Sequence, residues 1–265
     1  MNKTVFIKEM LLGYQVENSS AQEFADLLFN DVFETFKVAS ASPKWLACLN
    51  PHSYVIAEED QHFSIALKHA DWLIPDGVGI VIASKILGGS IHERVTGSDL
   101  FSALNNRMNL NGGHRVFFLG ATEETLAKIR VKMAADFPRV IVVGTYSPPF
   151  KAKYSAIELN DMIGAINLVK PDVLWVGMTA PKQEKWIYDN LHHLDVRFAA
   201  AIGAVFDFYA GNVNRSQLSF QRLGLEWLPR LIKQPRRLWR RMFVSAPIFL
   251  IIVLRVWWLR LRNNT

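Results

Sequence analysis

Residues 72–87 read WLIPDGVGIVIASKIL and contain an apolar run of strand length, a short turn and an apolar run of helix length. Asp-Gly occurs in turns of many kinds, but a turn between an apolar strand and an apolar helix is typical of a parallel α/β sheet. In such sheets ligands bind at the carboxyl ends of the strands. The segment therefore predicts a βα unit with Asp76 at the rim of the sheet, beside a helix N-terminus.

Further runs of strand length alternate with helical patterns before and after this segment. Ser20 and Glu23 have the spacing of a capping box, which predicts that a first helix begins near Ser20. The other predicted strands occupy residues 45–49, 115–119, 140–143, 173–176 and 198–202. The alternation predicts an α/β fold with a Rossmann-like, mainly parallel sheet flanked by helices.

The C-terminal tail differs from the rest of the chain in composition. No acidic residue follows Glu226, whereas nine lysines and arginines do, which exceeds the net charge of +6 of the whole chain. Residues 242–254 carry no charge, and Trp257 and Trp258 follow them between arginines. Because basic residues attract anionic headgroups and tryptophan favours the interface, the tail is predicted to lie on an anionic membrane surface. The alternatives are a single-pass segment, for which the apolar run is short, and a nucleic-acid tail.

This difference divides the chain into two predicted parts. Residues 1–215 are predicted to form an α/β body, and residues 216–265 a basic, apolar, helical membrane-binding appendage. The body alone is slightly acidic, which argues against a nucleic-acid partner. The N-terminus lacks the apolar core of a signal peptide, and the single Cys48 fits a reducing compartment. We expect a peripheral or monotopic protein at the cytoplasmic face of the inner membrane.

The sequence lacks the patterns of several enzyme classes. It contains no D-x-D, no G-x-S-x-G and no pair of Cys or His residues at metal-ligand spacing. These absences give no support to metal catalysis or to a serine hydrolase. We therefore predict neither a metal site nor another cofactor.

Polar clusters follow several of the predicted strands. Asp76 can take a proton from an acceptor hydroxyl. The amide of Asn50 can bind a sugar or a uracil, although an Asn before a Pro is commonly a turn residue. Arg94 is placed to pair with a phosphate, its alternative being a surface salt bridge with Glu93 or Asp99.

Two further clusters follow other predicted strands. Gly120 lies in a strand–turn–helix segment that can hold a pyrophosphate, but the full G-x-G-x-x-G fingerprint is missing. Gln183 follows Pro181 at the start of a predicted helix and is expected to project from its exposed end toward a ligand. Either Thr96 or Ser98 is expected to cap the helix that follows Arg94.

Six motifs in order make the chain resemble the WecG/TagA/CpsF family of bacterial glycosyltransferases. They are Asn50 with His52, PDGVGI at 75–80, ERVTGSDL at 93–100, APKQEKWI at 180–187, GAVFDFYAG at 203–211 and GLEWLPRLIKQPRRLWRR at 224–241. The resemblance implies an inverting, metal-independent transfer of a sugar from a UDP-sugar to a polyprenyl-diphosphate-linked saccharide. The product would be exopolysaccharide, capsule or a related polymer, and a homo-oligomer is compatible with the family.

The resemblance also implies roles for individual residues. Asp76 matches the family's general base, and Asn50 matches an amide near the sugar and base. Arg94 matches an arginine that steadies the donor phosphates, and Gln183 matches the glutamine of the P-K-Q-E segment. In the appendage, the arginines expected to close over the pocket and meet the lipid diphosphate are Arg230, Arg237 and Arg240.

The chain departs from the family pattern at two places. Cys48 stands where some relatives have a Thr, which removes a hydroxyl contact to the donor sugar, and residues 215–217 are Arg-Ser-Gln rather than R-A-P. Two other classes of protein remain as alternatives, a nucleotide-binding oxidoreductase and a catalytically silent membrane adaptor. A full glycine fingerprint would favour the first, and loss of Asp76 and Arg94 would favour the second.

Overall fold

The structure is a computed structural model that describes residues 6–34, 42–213 and 239–263. Arg230, Arg237, the departure at residues 215–217 and the predicted boundary between residues 215 and 216 lie outside the described residues.

Within these ranges the strands form an antiparallel hairpin and a six-stranded sheet whose neighbouring strands are all parallel. The strands are β1 (Lys8–Leu11), β2 (Tyr14–Glu17), β3 (Lys44–Leu49), β4 (Trp72–Pro75), β5 (Arg115–Gly120), β6 (Ile141–Tyr146), β7 (Val173–Gly177) and β8 (Phe198–Ala201). The hairpin pairs β1 with β2, and the large sheet has the order β4-β3-β8-β7-β5-β6. Two pairs of consecutive strands from distant parts of the sequence, β3 with β4 and β7 with β8, therefore end side by side.

Helices cover both faces of the large sheet. They are α1 (Ala21–Phe29), α2 (Pro51–Glu59), α3 (Gln61–Lys68), α4 (Val78–Ile86), α5 (Gly97–Asn111), α6 (Glu123–Asp136), α7 (Ala156–Val169), α8 (Lys182–Asn190), α9 (Val205–Tyr209) and α10 (Ala246–Asn263). Alternate residues of β3 point to opposite faces, so Trp45 belongs to one buried cluster and Leu46 to the other. The first cluster includes side chains of α2, α3, α4, α7, α8 and α10, and the second includes side chains of α1, α5, α6 and α9.

The predicted α/β fold is confirmed. The Ser20 hydroxyl accepts from the backbone N of Glu23 at 3.3 Å, and the Glu23 carboxylate accepts from the backbone N of Ser20 at 3.0 Å, so the capping box is present. The predicted strands are all present, although β6 begins and ends later than residues 140–143. The β1–β2 hairpin was not predicted, because its turn places Leu12 at a φ of 49°, a conformation that leucine rarely adopts.

The C-terminal part consists of a π-helical segment, Arg240–Ser245, that continues directly into α10. Pro247 does not interrupt the helix, which runs from Ala246 to Asn263. Helix α10 packs along α2 and α4, and Phe249 and Val253 are buried in the first cluster. By length and composition alone, the helix Arg240–Asn263 could cross a membrane, because an 18-residue window within it has a mean hydropathy of 2.1. The predicted helical, basic and apolar character of this segment is confirmed.

Candidate active site

A pocket of about 350 Å³ opens at the carboxyl ends of β4, β3, β8 and β7. Its walls come from the segments that follow these four strands and from the beginning of the C-terminal part. The polar and charged side chains that line it belong to Cys48, Asn50, His52, Ser53, Asp76, Arg94, Thr96, Ser98, Thr179, Gln183, Glu184 and Arg241. Four of the predicted site residues, Asn50, Asp76, Arg94 and Gln183, therefore lie around one cavity.

Asn50 is held in the pocket wall by its role as the N-cap of α2. Its side-chain oxygen accepts from the backbone N of Ser53 at 2.9 Å, and the Ser53 hydroxyl accepts from the backbone N of Asn50 at 2.8 Å. Pro51 occupies the first position of the helix, where its fixed φ is favourable. Asn50 can therefore be both a turn residue and a pocket residue, because capping fixes its amide at the rim of the sheet.

Asp76 lies half-buried directly after β4, at the start of α4. Its backbone N donates to the carbonyl of Leu49 at 2.8 Å, which fastens the turn to the end of β3. Gly77 adopts a φ of 125°, and a Cβ on Gly79 would collide with the Pro51 ring. The two glycines therefore allow α4 to begin against α2, which places Asp76 on the same rim as Asn50.

Arg94 reaches the pocket from the loop between α4 and α5. The backbone N of Val95 donates to the carbonyl of Pro75 at 3.1 Å and holds this loop against the end of β4. Of the two predicted caps of α5, Thr96 has this role, because its hydroxyl accepts from the backbone N of Asp99 at 3.2 Å. The Asp99 carboxylate in turn accepts from the hydroxyl and the backbone N of Thr96, at 2.7 and 3.1 Å.

Gln183 lines the pocket but differs from its expected orientation. Its side chain is 4% exposed rather than projecting from an exposed helix end. The side-chain oxygen accepts from the backbone N of Gly203 at 3.0 Å, and the side-chain nitrogen donates to Glu184 Oε1 at 2.8 Å. The reason is that α8 begins against the end of β8, so its first turn faces the sheet and not solvent.

Burial shifts the pKa values of three other groups in the pocket. Burial raises the pKa of the Glu184 carboxyl to about 7, against smaller opposing effects of the Gln183 hydrogen bond and the Arg241 charge. Burial also raises the pKa of the Cys48 thiol, to which the nearby carboxyls of Asp76 and Glu184 add. Burial and the positive charges of Arg241 and Arg240 lower the pKa of His52 to about 4. At neutral pH, His52 and Cys48 are therefore uncharged.

The C-terminal part contributes a wall of this pocket. Arg241, Met242 and Ala246 line the cavity, and Nδ1 of His52 lies 2.8 Å from the hydroxyl of Ser245. One helical turn later, the Phe249 ring contacts that of Tyr54 on α2, with centroids 5.3 Å apart. The pocket and the apolar helix α10 are therefore parts of one packed unit.

Two predicted residues do not line the pocket. Arg240 is exposed next to Arg241, the arginine that does line it. Gly120 lies at the end of β5 with a φ of 117°, and a Cβ there would lie 2.6 Å from the carbonyl oxygen of Gly177. The close approach of two strand ends thus explains the glycine without a ligand.

Two pocket residues were not singled out from the sequence. Arg241 is one of many basic residues in the tail, so its position alone did not distinguish it from Arg240. Glu184 follows Gln183 in a polar segment, and glutamates are almost never fully buried without a partner. The described residues contain no group of three or more His, Cys, Asp or Glu side chains that could hold a metal ion.

Comparisons with known proteins identify the family of this chain. The sequence model of the glycosyl transferase WecG/TagA/CpsF family matches residues 10–263. Three similar proteins are each named N-acetylglucosaminyldiphosphoundecaprenol N-acetyl-beta-D-mannosaminyltransferase. The protein from Bacillus spizizenii strain W23 is 33% identical over 211 residues, which cover 80% of this chain and 79% of that protein.

The protein from Bacillus subtilis strain 168 is 28% identical over 90% of this chain and 88% of its own length. The protein from Staphylococcus aureus strain MW2 is 26% identical over 91% of this chain and 89% of its own length. These matches favour a glycosyltransferase over the oxidoreductase and adaptor alternatives. The chain belongs to the WecG/TagA/CpsF family and is a glycosyltransferase.

Proposed function

We propose that this protein transfers an N-acetylhexosamine or hexose from a UDP-sugar to a polyprenyl-diphosphate-linked saccharide, in the synthesis of a cell-surface polysaccharide such as exopolysaccharide or capsule. The names of its relatives support the class of donor sugar and the lipid-linked acceptor. The observation that carries the proposal is that Asp76, Arg94 and Arg241 line one pocket. A carboxylate and two guanidinium groups are what base-assisted displacement of a diphosphate requires.

The donor diphosphate is proposed to lie between Arg94 and Arg241. A guanidinium group can donate two parallel hydrogen bonds to a phosphate, and its charge meets the negative charge that develops on the leaving UDP. Asn50 and Gln183 lie on the same cavity and are proposed to contact the donor's sugar or base. Cys48 presents a thiol where some relatives have a hydroxyl, so this position contributes to the choice of donor sugar.

The proposed reaction is a single displacement that inverts the anomeric centre. Asp76 takes the proton of the acceptor hydroxyl, whose oxygen attacks the anomeric carbon from the face opposite to UDP. The new glycosidic bond forms as the bond between the anomeric carbon and the phosphate oxygen breaks, and UDP leaves with that electron pair. Arg230, Arg237 and Arg240 are proposed to meet the diphosphate of the lipid acceptor, within an appendage that comprises residues 216–265.

The apolar surface of the C-terminal part supports binding to the membrane. Exposed apolar residues cover the side of this part that faces away from α2 and α4, and they are Trp239, Phe243, Val244, Ile248, Leu250, Ile251, Leu254, Trp257, Trp258, Leu259 and Leu261. Val78 and Ile82 of the adjacent helix α4 are exposed as well. Arg260 donates to the carbonyl of Leu87 at 2.9 Å, which fastens the far end of α10 to the body.

Because α10 is attached along its length, we propose that it lies on the anionic cytoplasmic face of the inner membrane rather than crossing it. Tryptophans and arginines at the end of the helix suit the headgroup region. In this orientation the pocket, which shares Met242 and Ala246 with the C-terminal part, opens close to the lipid surface. A lipid-linked diphosphate would then reach Arg240, next to the pocket residue Arg241, without leaving the membrane.

Replacing Asp76 with Asn tests the proposed base. The amide keeps the shape of the side chain but cannot accept a proton, so kcat should fall by about 10² to 10⁴-fold. UDP-sugar affinity and the thermal unfolding midpoint should change little. Transfer is measured as UDP release in the presence of a short-chain polyprenyl-diphosphate saccharide, and a variant that kept most of its kcat at neutral pH would show that Asp76 is not the base.

Chelation tests the proposal that arginines, and not a divalent metal, neutralise the leaving diphosphate. We expect UDP release to be unchanged in excess EDTA, because Arg94 and Arg241 already supply positive charge in the pocket. The assay compares one preparation before and after dialysis against EDTA. Loss of activity that Mn²⁺ or Mg²⁺ restored would contradict the proposal.

The double variant Ile251→Ser/Trp258→Ser tests the membrane surface without disturbing buried residues. Both side chains are exposed on α10. Because full burial of one such side chain contributes about 1.5–3 kcal/mol, binding to anionic vesicles should weaken by more than tenfold. Turnover of a water-soluble acceptor analogue should remain within about twofold, because neither residue lines the pocket.

The matched control is Val131→Ser/Leu168→Ser, which removes two exposed apolar side chains from α6 and α7. It should float with the vesicles as the unmodified protein does. Equal vesicle binding by both double variants would show that the exposed surface of α10 does not hold the membrane.

A further inference from the structure

Glu184 is a buried carboxyl group in the pocket for which the proposed reaction has no use. The residue is 2% exposed, and its Oε2 atom has no hydrogen-bond partner among the described residues. An unpaired carboxylate oxygen in such a place is costly, because burial disfavours the charged form. The group lies in the first turn of α8, at the wall that carries Gln183.

The other oxygen of Glu184 belongs to a chain of hydrogen bonds that ends at the backbone of the pocket. Oε1 accepts from the Gln183 amide at 2.8 Å, and the oxygen of that amide accepts from the backbone N of Gly203 at 3.0 Å. Gly203 adopts a φ of 53° directly after β8 and lines the pocket. Glu184 thus determines which way the Gln183 amide faces, since an acceptor at Oε1 requires the nitrogen on that side.

The charged and titratable groups around Glu184 come from several elements. Cys48 of β3 and Asp76 after β4 line the pocket with it, as do His52 of α2, Arg94 of the α4–α5 loop and Arg241 of the C-terminal part. Helix α3 also packs on α8, and its N-cap Asp60 pairs with Lys185 while its His62 pairs with Asp189. Lys182 of α8 lies over the Tyr154 ring.

The pKa of Glu184 lies near neutral pH, unlike the pKa values of His52 and Cys48. Its pKa is raised to about 7 by burial, whereas the pKa of His52 is lowered to about 4 and that of the Cys48 thiol is raised. The arginines remain positive throughout this range. Below pH 7 the Glu184 carboxyl is neutral, and above pH 7 it adds a negative charge to a pocket that has to receive a diphosphate.

We propose that Glu184 is a positioning residue that also controls the charge of the donor pocket: it holds Gln183 against the Gly203 turn, and it favours binding of the anionic donor while its own carboxyl is neutral. The inference rests on the proposed function, because the anion in question is the diphosphate of a UDP-sugar. Binding and protonation are linked, so the donor that prefers neutral Glu184 also makes its carboxyl harder to ionise.

Calorimetry on the full chain tests this inference. The quantity measured is the affinity for an intact UDP-N-acetylhexosamine between pH 6 and pH 8.5. An intact UDP-sugar is the right probe, because its diphosphate is a diester that stays ionised throughout this range. The Kd of the unmodified protein should rise about tenfold with increasing pH, with its midpoint near pH 7, because like charges then share the pocket. The Kd of Glu184→Gln, which cannot ionise, should change by less than about threefold.

Glu124→Gln is the matched control, since it makes the same change at an exposed position of α6. It should follow the pH dependence of the unmodified protein. The same dependence in Glu184→Gln, or a flat profile in the unmodified protein, would overturn the inference.

Glu184→Ala tests the positioning role, because it removes the acceptor for the Gln183 amide. Its Kd should be about tenfold higher than that of Glu184→Gln at pH 6, with a thermal unfolding scan to confirm that it is folded. Equal affinity of the two variants would overturn the positioning role. If the unmodified protein bound the UDP-sugar with the expected pH dependence but transferred no sugar to a lipid diphosphate, the proposed function would be wrong while the inference about Glu184 would stand.

Discussion

The parallel pairing of β4, β3, β8 and β7 is the constraint on which the site depends. The pair β3 and β4 and the pair β7 and β8 come from distant parts of the sequence, and their pairing places the residues that follow them on one rim. Asn50 follows β3, Asp76 follows β4, and Gln183 and Gly203 follow β7 and β8. Each is then fixed locally by a helix cap, a glycine turn or a backbone hydrogen bond to a neighbouring strand. The backbone therefore fixes the positions of the site residues, and their side chains supply the reactive and binding groups.

The part of this arrangement that depends on local rules could be predicted from the sequence. Strand-length apolar runs, the Asp-Gly turn at Asp76 and the capping box at Ser20 are short-range signals with a direct physical cause. They identify the βα units and place Asp76 and Asn50 at strand ends. The order of the strands and the meeting of these residues in one cavity follow from long-range pairing, which no local pattern contains.

The orientation of single side chains was harder to predict for the same reason. Gln183 occupies the first turn of a polar helix, a position that is commonly exposed, but α8 begins against β8 and buries it. Arg241 and Arg240 are equivalent by composition, and only the path of the π-helical segment decides which of them lines the pocket. Gly120 is required by its contact with Gly177, a close approach between neighbouring strands that its own segment does not reveal.

The C-terminal part links the pocket to the apolar surface of the protein. Ser245 contacts His52, Phe249 is buried against Tyr54, and Met242 lies in the cavity wall. If α10 lies on a membrane as proposed, a shift of this helix would move side chains of the pocket wall. This arrangement suits a reaction between a water-soluble donor and an acceptor that stays in the lipid layer.

The central claim is that the pocket moves a sugar from UDP to a lipid-linked diphosphate. The most direct test measures UDP release from a panel of UDP-hexoses and UDP-N-acetylhexosamines, with and without a short-chain polyprenyl-diphosphate saccharide. We expect at least one UDP-sugar to give UDP release that requires the acceptor, together with a lipid product heavier by one sugar residue. If no UDP-sugar in the panel gave acceptor-dependent release or a heavier lipid, the account of this site would be contradicted.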